Sequence, residues 1–287
     1  VSKFKMKAQF QHNLTTSFFL WFDNFLLTKG EAFSNKEGQL FYYSDPRLDA
    51  KYRAFGSPYK QWVTDSSISG ANIPSGVFIG GSFSGRNDGV VLDFDNGRSL
   101  VSGSSTDLTV TGEFAVKDFN VYITNDTEED LIIENKYVVN SRLPSAAEGA
   151  IAPYDDVVPA VFISTATMEN VPFAFGGMQE TQCSVKAVVL AEDTYQLDGV
   201  LSIFADSRDE DITELPMTGY PITELGDLKG GSYNYTGFID SYSSEQGFYV
   251  NSVRTSKLTD RDRKSLAHEL YVGFIDFDIH KHRFRFN

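Results

Sequence analysis

The chain of 287 residues has one cysteine, Cys183, so no disulfide can form within it and a reducing compartment is expected. Cys183 lies in an apolar run, 183–190, and reads as a buried, unreactive thiol. Histidine is scarce too: His12, His268, His280 and His282 are the only imidazoles. Basic residues number 25 against 39 acidic ones, a net charge of −14. An acidic surface repels phosphate, which excludes simple wrapping of nucleic acid but lets DNA pass through a lumen without sticking. No apolar run approaches the ~18 residues of a membrane span. The stretch 18–22 follows Lys3, Lys5 and Lys7 as in a signal peptide, but Asp23 and Asn24 interrupt it and no small-residue cleavage site follows. The expectation is a chain made in the cytosol, with no membrane partner, on which the sequons at Asn13, Asn125 and Asn234 are chance matches.

What is plentiful is aromatic: 24 Phe and 14 Tyr, residues that favour strands, large buried contacts and interfaces. With 23 Gly against 9 Pro, many turns are expected rather than stiff linkers. The clearest helix signal is 14–29, where Phe18, Phe22, Phe25 and Leu26 recur at helical spacing, Asn13 or Thr15 can cap the start and Gly30 can end it. Leu20, Trp21 and Leu27 make it apolar all round, so it needs burial in its own domain or against a neighbouring subunit. Short strands follow from 70 to 125; Asn96-Gly97 between 90–95 and 98–101 predicts a type I′ hairpin. Further on, 183–191 reads as a buried strand. Asp193 and Gln196 cap a helix with Leu197, Val200, Leu201 and Phe204 on one face. A short helix over 260–268 precedes a last strand, 270–279. The fold class predicted is α+β and β-rich: a β-sandwich or barrel-like first half with an N-terminal helix (1–145), then a mixed α+β half ending in a C-terminal strand or arm (146–287), the boundary falling in 141–153.

No residue set commits to catalysis. Gly81-Ser82-Phe83-Ser84-Gly85 has its glycines misplaced for a nucleophile elbow, and Lys229-Gly230-Gly231-Ser232 lacks the strand and helix of a phosphate loop. Asp93-x-Asp95-x-Gly97 resembles the start of a calcium loop without its distal glutamate. Asp276, Asp278, His280 and His282 share one strand face at ~7 Å spacing, too far apart for one ion, and read as a wet face. No metal or cofactor is expected. His282-Arg283-Phe284-Arg285-Phe286 interleaves cations and rings; it suits either nucleic acid or an arm added to a neighbour's sheet, and the acidic chain favours the arm. Tyr42, Tyr43, Tyr59 and Trp62 form a candidate sugar platform.

Four stretches carry a resemblance: SFFLWFDNFLL at 17–27, NKYVVN at 135–140, AEDTYQLDGV at 191–200 and GDLKGGSYN at 226–234. With them the chain resembles virion structural proteins of tailed bacteriophages, particularly marine, T4-like ones. The resemblance implies a particle component at the neck or tail and transfers no site residues. The expected role is therefore a head–tail connector or neck protein that forms a homo-oligomeric ring and packs on other virion proteins, with DNA at most in the lumen. Its joints would be Phe18, Trp21, Phe22 and Phe25 on the helix and Arg283, Phe284, Arg285 and Phe286 on the arm. The alternative is a β-sandwich module for carbohydrate or a host receptor.

Overall fold

The computed structural model describes residues 10–48, 50–133, 137–139, 155–174, 176–242, 247–259, 261 and 270–284. The helical periodicity around Phe18 is realised as α1 (Phe10–Lys29), which begins a turn earlier than expected. Neither proposed cap acts as one. Asn13 instead donates to Glu214 and accepts from the Met217 amide, tying the helix to a distant loop. Gly30 ends the helix where a side chain has no room: a Cβ there would lie 2.6 Å from the Leu26 carbonyl oxygen.

The chain is β-rich α+β, with two curled, barrel-like sheets. The first contains β1 (Phe33–Tyr43), β2 (Tyr52–Gly56), β3 (Gly76–Ile79), β4 (Ser82–Gly85), β5 (Val90–Asp93), β6 (Arg98–Ser102) and β7 (Val110–Lys117) in the order β4-β3-β7-β1-β2-β6-β5. All pairs are antiparallel. Long β1 pairs with β7 through residue 40 and with β2 from 41, so a single strand carries the sheet around a bend. The β5–β6 hairpin forms as predicted, but Asp93 pairs with Arg98 across four loop residues. Only Gly97 among them has positive φ, so the turn is not type I′.

The second sheet contains β8 (Asn120–Ile123), β11 (Ala160–Pro172), β12 (Met178–Ala191), β13 (Asp211–Ile212), β14 (Phe248–Lys257) and β15 (Tyr271–Phe284), in the order β13-β14-β15-β12-β11-β8. Only β8 and β11 run parallel. Residues of odd number on β15 point to α1 and to α3 (Thr194–Ala205). Phe277 meets Phe18 at 5.0 Å, and Gly273 leaves room for Leu197 and Leu201. As the sequence indicated, Asp193 caps α3 by accepting from the Gln196 amide at 2.8 Å, and Leu197, Val200, Leu201 and Phe204 are buried. The opposite face carries a smaller core at one end. There Phe162, Val188, Leu190 and Val272 pack with Leu131 of α2 (Glu128–Ile133), near the parallel pair β9 (Val138–Val139) and β10 (Val157–Val158). A short α4 (Tyr235–Asp240) is capped by Asn234.

Two expectations need correction. The division at 145/146 does not describe the packing, because α1 and β8 from the first part are built into the second sheet's layer. The linker 141–153 and, apart from Arg261, the helix over 260–268 lie outside the described residues. Nor is the described part of the C-terminal run a free arm: β15 continues to Phe284 beside β12, with Gln179 opposite Arg283 and Met178 opposite Phe284, while its pairing with β14 ends at His280. Backbone pairing with β12 is worth more than an exposed tail, and the alternation of charge and ring follows the two faces of the sheet.

Candidate functional site

The helix residues singled out as joints belong to the molecule's own core. Phe18 and Phe22 are fully buried, and Trp21 and Phe25 nearly so. Phe22 stacks on Phe204 with centroids 4.0 Å apart, and Trp21 and Phe25 complete the cluster. Burial of each such ring contributes about 1.5–3 kcal/mol, which accounts for the apolar surround without a neighbour. Arg283 lies over the Phe10 ring at 4.1 Å and donates to Thr181 and Asn170. Phe284 is exposed, while Arg285 and Phe286 lie outside the described residues. The tyrosine platform is also dispersed. Trp62 is buried flat against Phe114, Tyr43 takes a hydrogen bond from Arg98, and Tyr42 leans on Phe55.

Asp93 and Asp95 are not a calcium loop. The Asp93 carboxylate is engaged by Arg98 at 2.6 Å and by Asn96, and Gly226 packs so close that a Cβ there would strike it. Arg98 also bridges to Asp45, whose carboxyl falls to about 2 under hydrogen bonds from Arg47 and Arg98 despite burial. Asp95 goes the other way, pushed up to about 6 by burial and by the charge of Asp93. Nearby, burial lowers the Lys60 ammonium to about 8. Cys183 is buried and its thiol is raised to about 11, in keeping with an inert role.

The even-numbered face of β15 is less wet than its spacing suggested. Strand pairing brings Glu180 and Tyr249 in from either side. His280, only 8% exposed, has Nδ1 at 2.9 Å from Glu180 and Nε2 at 3.1 Å from Asp278, the latter off the hydrogen-bond direction. The Tyr249 hydroxyl donates to Glu180 at 3.0 Å, and Asn251 donates to Asp278 at 2.9 Å. Its hydrogen bond with His280 holds Glu180 below the ordinary carboxylate range, while burial raises Tyr249. His282 lies between Phe173 and Tyr249. Among the described residues no cluster has the make-up to hold a metal. Glu180 and Tyr249 escaped sequence reasoning because they join His280 only through strand register.

A cleft of about 610 Å³ opens between the end of α1, the start of β1, the end of β7 and the outer face of α3. Leu26, Val116, Phe119 and Ile203 form its floor, and Tyr59 and Tyr195 its walls, with Asp118, Glu192 and Asp198 on the rim. Tyr195 is 88% exposed, and Ser34 donates to Asp118.

The second sheet also keeps open backbone on both sides. Beyond β8, which reaches only Ile163, no described strand pairs with 164–172 of β11; beyond β13, none pairs with 251–257 of β14. The Phe173 amide donates to Met178, so by alternation Met168 and Asn170 turn their N–H and C=O groups outward. The Leu258 amide donates to Val272, so Val253, Thr255 and Lys257 do the same. No protein-family model matches the chain, and no curated protein matches it.

Proposed function

We propose that the chain is a structural component of a tailed-bacteriophage particle, at the neck or tail, which joins copies of itself into a ring and packs on neighbouring virion proteins. The observation that carries this reading is the second sheet, two opposite edges of which have backbone with no partner strand among the described residues. Open edges recruit further strands, and two on one sheet allow a chain of like units. The net charge of −14 keeps the unassembled protein soluble and an enclosed lumen slippery to DNA. The resemblance at 17–27 and 191–200, stretches that form α1 and α3, adds to it. Light scattering after size exclusion, with negative-stain images, is expected to show oligomers with a central opening. Gold-labelled antibody is expected to decorate the neck or tail of particles; particles free of the protein would sink the reading. A second reading, carbohydrate or host-receptor binding, draws on Tyr59, Tyr195 and the acidic rim of the cleft, and a glycan array tests it.

A further inference from the structure

We infer that the partner of the β14 edge is the β11 edge of a second copy of this chain, paired antiparallel with Arg254 opposite Glu169. This inference rests on the self-assembly reading above and gives that reading a specific joint.

Direction comes first. Within the sheet β14 and β12 run antiparallel to β15, and β11 runs antiparallel to β12. Strands β11 and β14 therefore point opposite ways. A second copy set beside the first in the same sense presents its β11 antiparallel to β14, the pairing that needs no inversion of either molecule.

Register comes next. The outward backbone groups of β14 are those of Val253, Thr255 and Lys257, and those of β11 are Met168 and Asn170. Setting Val253 opposite Asn170 and Thr255 opposite Met168 makes both pairs hydrogen-bonded. Arg254 and Glu169 then face each other as the close, non-hydrogen-bonded pair between them, where opposite charges favour pairing. Both side chains lie on the His280 face: Arg254 is level with Asp276, and Glu169 with Gln182 and so with His280. The ends also fit. Along β14 the free stretch runs from β13 to Lys257; along β11 it runs from β8 to the hairpin tip. In this register the neighbour's β8 is not displaced, and the pairing ends at Asn170, because Glu210 and Asp209 hold the Val250 amide and carbonyl.

The β11 edge is restricted in a way that suits one register. Pro172 stands at an outward position and has no N–H to give, and a bulge separates Thr165 from Met168. These features blunt the edge against random pairing and leave a short window around Glu169.

The test is covalent. Within one chain β11 and β14 are separated by β15 and β12, so a disulfide between positions 169 and 254 can form only between copies. The Arg254→Cys, Glu169→Cys double variant, gently oxidised, is expected to give a ladder of dimers, trimers and higher species on non-reducing gels. Each single variant alone gives none, and an equal mixture of the two stops at the dimer. Reversing one charge, by Arg254→Glu or by Glu169→Arg, is expected to weaken self-association about tenfold or more. Combining the two reversals restores it, with circular dichroism confirming that each variant folds. Oligomers from the unmodified chain with no ladder from the double variant overturn this joint and leave the self-assembly reading standing. Oligomers indifferent to both reversals overturn it likewise, the edges then being free for another protein. A chain that remains monomeric, with no ladder, removes the joint and the self-assembly reading together.

Discussion

Phe22 lies fully buried and flat against Phe204 beneath the edge of Phe277, where an introduced carboxylate would meet aromatic rings. Phe22→Asp is therefore expected to prevent folding, with a loss of more than about 4 kcal/mol and protein recovered only as aggregate. Phe22→Leu, which keeps most of the volume, should fold with a lowered Tm, measured by thermal denaturation. Asp95 offers a second residue-scale test, with the sign worked out. Its folded pKa of about 6 exceeds the ordinary aspartate value of 3.8, so the folded state holds the proton more tightly than the unfolded chain between these limits. Its burial penalty is then full above pH 6 and is relieved as pH falls toward 4. Asp95→Asn should be more stable than the parent at pH 7, the difference shrinking toward pH 4 in urea titrations. Asp45 behaves oppositely: its contribution is present above pH 3.8 and is lost as pH falls toward 2.

At the scale of elements, β15 shows what a sequence does and does not reveal. The alternation of Ile275, Phe277 and Ile279 marked a strand, and α1 and α3 were legible from periodic aromatics and from Asp193, because local spacing alone specifies them. The end of β15 was not legible. Arg283 and His282 look solvent-bound in isolation, and only the neighbours Phe10, Thr181 and Phe173 half-bury them. For the same reason Trp62 passed for a platform residue and Glu180 passed unnoticed beside His280: both contacts join segments far apart in the chain. It follows that deleting 282–287 removes the backbone of 282–284 that pairs with β12. The truncated protein is expected to melt at clearly lower temperature, whatever its oligomeric state; an unchanged Tm would mean that β15 is expendable beyond Lys281.

Over the whole molecule, α1 packs on α3 and on Phe277 at one end of the chain's order and on the first sheet's layer at the other, and β8 carries the connection into the second sheet. Fragments 1–145 and 146–287 are accordingly expected not to fold when made separately, and calorimetry of the intact chain should give one cooperative transition. Two resolved transitions would show that the halves are independent. The stagger between the two open edges has a consequence of its own. Measured on β15, Arg254 stands level with Asp276 and Glu169 with His280, four positions apart, or about 13 Å along the strand. In the proposed joint each added copy would slide by that distance relative to the last. Spread over the four strands β14, β15, β12 and β11, the slide is one residue per strand, the ratio found in an eight-stranded barrel of shear 8, whose strands lean about 36° from the axis. A flat, upright arrangement of copies would climb into an open spiral without limit, whereas strands leaning by that angle return to their starting point; the ratio is the same for any number of copies, so it sets the lean of a ring and not its size.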